Sequence, residues 1–413
     1  MNSMTFSLHN IIALVKNLVI VLLLSTLNCH ATALEKVPTI SKHSFNQIQK
    51  IQKEIDAKKF PFGLELIHNY LAKKTLTNYE KALGLSLKGY LFYSAGRLPE
   101  SILVYREILQ TNDLPNTLEL NTRRTLCQLL IANSNYEEAF LEIITLEKIL
   151  PASDAALLAL KSRVFLAKQD YHAALKAISR AIKQNKAENI IPKEDWLHIL
   201  YACLFQEKEY EKMVQALIEL VETYPKHRYA LDLANGYDLI QKSRSHLIIL
   251  ESLNEIQPFS KPALVKALAN LHLLHGAPYK AATILQFALN EQTLKQSEEN
   301  LRLLGYAWLI AKETSLALQP FAQAATLSSD GNLHLQLAQL SIDQEQWKEA
   351  AHWIEKGLEK GNLKSTADAN IMLGISLFNQ HKIKEARIAF IKAMDSGQRV
   401  MVASRWIEHI GSD

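Results

Sequence analysis

Residues 373–393, LGISLFNQHKIKEARIAFIKA, decide the fold. Gly374 is followed 12 positions later by Ala386, 16 later by Phe390 and 19 later by Ala393. Apolar residues recur at three- and four-residue spacing on both sides of a polar break, the pattern of two amphipathic helices joined by a tight turn. The small residue on the first helix lets the second approach closely. The small residues on the second pack back against the first and onto the next unit. Leu373 fills the gap beside the glycine.

The same spacing recurs upstream. Ala338, Ala350 and Gly357 repeat it with Ile354 between the last two, and Gly305, Ala317 and Ala324 repeat it with Phe321. Ala269, Ala281 and Ala288 follow with Leu285. Further upstream the pattern loosens but keeps phase at Ser162, Tyr201 and Ala234, with Pro225 and Pro258 closing two second helices. Gly89, Cys127 and a first pair around Ile51 and Gly63 complete the series. Aromatic residues open several second helices, as Tyr136, Tyr171 and Trp347 do. Ten anchors, at 51, 89, 127, 162, 201, 234, 269, 305, 338 and 374, advance by about 36 residues per step. The expectation is an all-α, right-handed superhelical solenoid of about ten helix pairs over 43–410, closed by a short amphipathic helix at 402–410. A short linker covers 34–42, and the array divides into halves at 43–225 and 226–410. The packing positions are Ala269, Ala281, Gly305, Ala317, Ala338, Ala350, Gly374 and Ala386.

Residues 1–33 read differently. Lys16 precedes an apolar run from Leu18 to Leu24, and Ala31-Thr32-Ala33 supplies a small-x-small cleavage pattern. That order is the order of a secretory signal peptide, cleaved after Ala33. The run is short for a membrane span, which needs about 20 residues; an uncleaved inner-membrane anchor beginning at Ile11 is the other reading. Cys29 is a poor lipidation site, with Asn28 where a small residue belongs. The mature chain carries nearly balanced charge, from 46 Lys+Arg against 42 Asp+Glu overall. It lacks the clustered basic field that nucleic acid requires. The hydrophobic content of 48% over all 413 residues argues against compositional disorder.

The helix-pair grammar resembles the tetratricopeptide repeat, whose unit is about 34 residues. Within 225–410, the segments APYKAA (277–282), LLGYAW (303–308), LSSDGNLHLQLAQL (327–340), LFNQHKIKEARIAFIKA (377–393) and SRWIEHI (404–410) resemble an exported tetratricopeptide family assigned to the TonB system. That resemblance implies a periplasmic scaffold for protein–protein interaction. It would be accessory to TonB-dependent energy transduction and outer-membrane iron or haem uptake, with the TonB, ExbB and ExbD inner-membrane complex as partner. Another envelope scaffold, in outer-membrane assembly or secretion, is the alternative. The family carries no catalytic residues and no cofactor.

First helices line the inner groove of such arrays. Positions three before, one after and four after each anchor point into it, which selects Asn235, Asp238, Lys266, Asn270, Arg302 and Tyr306 together with Leu231, Leu273 and Leu309. Lys266 and Asn270 resemble the first pair of a carboxylate clamp, but Leu303 stands where the next unit would need Asn. A groove of cations, amides and an aromatic suits an extended peptide or a helix. His272 and His275 share a helix at metal-capable spacing, yet no Asp, Glu or Cys completes a site, so packing is the better reading. Cys127 and Cys203 lie two units apart, beyond disulfide reach. Trp308, Trp347 and Trp406 read as core or cap filling. With no nucleophile elbow, phosphate loop, dinucleotide glycine pattern or zinc motif, no enzyme is expected.

Overall fold

The computed structural model describes residues 39–150 and 154–411. The expected signal peptide and its cleavage point lie outside the described residues. The described residues form 21 α-helices and no strand. In chain order they are α1 (Lys42–Asp56), α2 (Phe60–Leu71), α3 (Asn78–Ser94), α4 (Leu98–Leu109), α5 (Asn116–Ala132), α6 (Tyr136–Ile149), α7 (Ala155–Ala167), α8 (Tyr171–Ala187), α9 (Glu194–Gln206), α10 (Tyr210–Thr223) and α11 (His227–Leu239). Then come α12 (Ser243–Ile256), α13 (Pro262–Leu274), α14 (Pro278–Asn290), α15 (Glu298–Ile310), α16 (Thr314–Leu327), α17 (Asn332–Asp343), α18 (Trp347–Lys360), α19 (Thr366–Asn379), α20 (Ile383–Asp395) and α21 (Val400–His409). Odd-numbered helices up to α19 carry the anchors, and even-numbered helices are their partners. The chain forms two compact units that meet in sequence within α11, one ending at Gly236 and the other beginning at Tyr237.

Within each unit, one volume rule closes the pairs. Where the anchor is glycine, the residue 16 positions on is aromatic, and its ring lies against the glycine. A β-carbon on Gly89 would lie 2.6 Å from the Tyr105 ring, one on Gly305 2.8 Å from Phe321, and one on Gly374 2.5 Å from Phe390. Where the anchor has a β-carbon, the residue 16 on is aliphatic and fully buried: Cys127 with Ile143, Ser162 with Ile178, Ala269 with Leu285, Ala338 with Ile354. In these seven pairs the sum of the two side chains is roughly conserved, as close packing demands, whereas Ile51 with Ile67 and Tyr201 with Leu217 join two large side chains. All eight packing positions read from the sequence are buried.

The turn inside each pair obeys a second rule. The residue seven positions after every anchor has positive φ: Lys58, Gly96, Ser134, Gln169, Lys208, Gln241, Gly276, Lys312, Glu345 and His381, between 56° and 76°. Only Gly96 and Gly276 among these ten are glycines. The other eight accept left-handed strain because packing of the flanking helices fixes the turn. Lys312 is exposed with φ of 63°. Replacing it with glycine should relieve that strain and raise stability by about 0.5–1 kcal/mol, the net of local relief over unfolded-state entropy. Urea unfolding of Lys312→Gly checks this, and a destabilised variant would refute it.

The described end of the array is capped as the sequence suggested. On α21, Ala403 is buried and the Trp406 ring stacks on Phe390 at 5.4 Å with an interplanar angle of 5°. At the first pair, Thr77 and Glu80 form a capping box on α3, and Glu80 also accepts from the Ser41 backbone N–H at 3.0 Å. These backbone hydrogen bonds from Ser41 and Thr77 hold the Glu80 carboxyl down at about 2.

Candidate functional site

The sequence-selected groove residues sit on α11, α13 and α15. Lys266 Nζ donates to Glu299 Oε1 at 2.7 Å, joining α13 to the first turn of α15. Arg302 Nη1 bonds Glu298 Oε1 at 3.2 Å. The Tyr306 hydroxyl donates to Gln336 Oε1 on α17 at 3.1 Å, and its ring meets Phe321 edge-on at 5.1 Å. Lys266 holds the Glu299 carboxyl below its usual range, and the Tyr306 hydroxyl with Glu298 raises the Arg302 guanidinium against its partial burial. Lys266–Glu299 and Tyr306–Gln336 therefore tie consecutive repeats together as an inter-repeat ladder, with the Arg302–Glu298 pair inside α15 between them. Both cations already face internal carboxylates, so the cationic half of a carboxylate clamp is engaged by the chain itself. Asn270 is exposed, and no side-chain partner bonds it among the described residues. Asp238 lies 3.4 Å from His246 Nδ1. Asn235 is half-buried at the end of the first unit.

The ladder has counterparts in the first unit. Arg124 on α5 bonds Asp154, the N-cap of α7, at 2.6 Å, and Arg163 on α7 pairs with Asp195 on α9. Each places a first-helix cation over an acid at the start of the next first helix, where the helix dipole also favours negative charge. Sequence reasoning overlooked these acids because it searched only the positions facing the groove.

A denser polar cluster in the first unit was also missed. Glu194 at the start of α9 accepts from Lys226 at 2.6 Å, from Arg228 at 3.3 Å and from the Tyr229 hydroxyl on α11. Burial pulls the Glu194 carboxyl up, but bonds from Lys226 and Tyr229 and the charge of Arg228 outweigh it and leave it below its usual range. Beside it, the Tyr201 hydroxyl donates to Asp232 Oδ2 at 3.2 Å and lies 3.0 Å from His198 Nε2. Burial raises the Asp232 carboxyl and pushes His198 down to about 4. The available signal was Tyr201 itself, a large phenol at a position that every other repeat after the first, where Ile51 stands, fills with Gly, Ala, Ser or Cys. His198 stands three before that anchor, on a groove position.

His272 is buried against Glu251 rather than joined to His275, whose Nε2 lies 3.1 Å from Ser243 Oγ. Cys127 and Cys203 are buried, unpaired thiols, both pushed up to about 12 by burial. Among the described residues no group of three or more His, Cys, Asp or Glu is placed to hold a metal ion. Among them, too, no helix is long and apolar enough to cross a membrane.

Paired helices in constant phase, closed by small anchors and a terminal helix, define an all-α tetratricopeptide-type solenoid, a fold used for protein–protein interaction. The chain is distantly similar to solved structures, with TM-scores below 0.5. A tetratricopeptide repeat protein from Parabacteroides merdae is 15% identical with a TM-score of 0.38, covering 63% of this chain and 98% of its own. The C-terminal part of a TPR repeat-containing protein from Cytophaga hutchinsonii is 12% identical with a TM-score of 0.41, covering 68% and 95%. YrrB, described as a TPR protein with an unusual peptide-binding site, is 17% identical with a TM-score of 0.35, covering 47% and 99%. No family model and no curated protein matches the chain.

Proposed function

We propose that this protein is a periplasmic scaffold that grips a protein partner along the first-helix face of its second unit, as an accessory of TonB-dependent energy transduction and iron or haem uptake. The observation that carries the binding role is the ladder of Lys266, Arg302 and Tyr306, which fixes a mixed cationic, amide and aromatic surface on consecutive first helices. Such a surface takes an extended or helical segment through its backbone and through acidic groups that compete with Glu298 and Glu299 for the two cations. The TonB-type inner-membrane complex is proposed as partner on the likeness of segments between 225 and 410, and the periplasm on the signal-peptide order of 1–33. A catalytic role is no part of the proposal.

The test pairs binding with folding. Lys266→Glu and Arg302→Glu together should weaken capture of the partner from membranes of iron-starved cells. The thermal melt should stay close to wild type, because both side chains are partly exposed and their partners Glu298 and Glu299 are solvated. Normal melting together with undiminished capture would remove this face as the binding surface. Capture of outer-membrane assembly or secretion components instead of TonB-complex subunits would overturn the partner assignment and leave the scaffold.

A further inference from the structure

Three histidines are sealed inside the second unit. His246 on α12, His272 on α13 and His334 on α17 are 7%, 2% and 5% exposed. Each keeps one buried ring nitrogen without a hydrogen-bond partner: Nδ1 of His246, Nε2 of His272 and Nδ1 of His334. A neutral imidazole can leave its lone pair bare at modest cost. The imidazolium carries a second N–H donor and a full charge, and a buried donor or charge without a partner is costly.

The charges around the three rings offset that cost only in part. His246 Nδ1 faces the Asp238 carboxylate at 3.4 Å, which would pair with the protonated ring and offset part of the burial cost, but burial outweighs it. His272 has Glu251 of α12 at 3.7 Å, but that carboxylate is held by Lys280 of α14 at 2.7 Å, and His275 adds to the positive side. His334 feels Lys356 and Lys360 of α18 more strongly than Asp330, with the Trp353 ring 6.1 Å away. We propose that these three histidines make the second unit an acid-sensitive latch, whose helices α12, α13 and α17 loosen when the pH falls below neutrality while the first unit remains closed.

Desolvation holds all three rings below the ordinary histidine value of 6.5. The unfolded chain takes up its protons near 6.5, and the folded unit resists until lower pH. Between those points the unfolded state binds more protons, so stability falls as pH falls. Each ring contributes at most about a tenfold change in the folding equilibrium per pH unit, and three contribute about a thousandfold. The first unit has one such ring, His198, whose Nε2 already lies against the Tyr201 hydroxyl; its other described histidines, His43, His68, His172 and His227, are exposed. Glu80, held down at about 2, costs that unit stability only as pH falls below the usual carboxylate range, in a separate window. Loosening α13 and α17 would release Lys266 and Gln336, two members of the inter-repeat ladder.

Amide hydrogen exchange on the full chain between pH 7.5 and 5.5, corrected for the intrinsic rate, tests the latch. Protection in α13 to α17 should fall more steeply with acid than protection in α3 to α8, approaching a thousandfold against tenfold per pH unit at the limit. Equal slopes in the two units would overturn the proposal. In His272→Gln with His334→Gln, the excess slope of the second unit should shrink, and an unchanged slope counts against it. Should that variant not fold, ring-proton NMR of the wild type decides: the three buried rings should stay neutral at pH 6, and titration of all three near 6.5 in the folded protein would refute the idea.

Discussion

Gly331→Ala should destabilise the second unit by about 3 kcal/mol, the upper end of the cost of overpacking. Gly331 is the N-cap of α17, with φ of −84°, so glycine is not there for its backbone freedom. It is there because two backbones cross. A β-carbon would lie 2.1 Å from the Gly357 carbonyl oxygen and 2.8 Å from its carbonyl carbon. The Gly331 N–H also donates to the Gly361 carbonyl at 2.9 Å. Asn332 extends the staple, donating to the Asn362 carbonyl at 3.1 Å and accepting from the Lys364 N–H at 2.9 Å. No rotamer change relieves a clash with a carbonyl, so the loop must move and these bonds must break. Urea unfolding followed by exchange in α16 to α19 measures the loss; a variant within 1 kcal/mol of wild type would show that the crossing is loose.

The second large effect is a rescue. Gly305→Ala should cost about 1–3 kcal/mol, since its methyl group meets three atoms of the Phe321 ring at 2.8–2.9 Å. Gly305→Leu should cost more. Phe321→Leu alone should also destabilise, by leaving a cavity. The pair Gly305→Ala with Phe321→Leu recreates the alanine–leucine combination of Ala269 and Leu285, and should be more stable than the sum of the single effects predicts by about 1–2 kcal/mol. Additive losses in the double-mutant cycle would mean that the volume rule is coincidental.

These two cases mark how far the sequence could be read. The phase of ten pairs was legible because each anchor and its residues 12, 16 and 19 positions on lie on facing surfaces of two neighbouring helices. Periodicity alone reports such local contacts. The Gly331 crossing was not legible, although LSSDGN was noticed, because its partner is backbone 26 residues away and no side-chain pattern encodes it. The left-handed turns were hidden for another reason: Lys, Gln, Glu, Ser and His occupy positions where a turn signal would be glycine or asparagine. At the candidate site, Lys266, Arg302 and Tyr306 could be placed on first helices from spacing. Their engagement by Glu299, Glu298 and Gln336 depends on the register of side chains along and between helices. The cluster around Tyr201 and Glu194 escaped because the groove rule was applied only from Ala234 onward, and because a tyrosine at an anchor looked like a weak repeat rather than a polar centre.

On the proposed function, the first-helix face of the second unit holds a protein partner. Photo-crosslinking in living cells tests it most directly, with the reactive group placed singly at exposed first-helix positions Asn270 and Gln339 and at exposed second-helix positions Thr283 and His352. Asn270 and Gln339 should yield a discrete crosslinked species containing a TonB-complex subunit, while Thr283 and His352 should not. Crosslinks only from Thr283 and His352, or none from Asn270 and Gln339 under iron limitation, would contradict it.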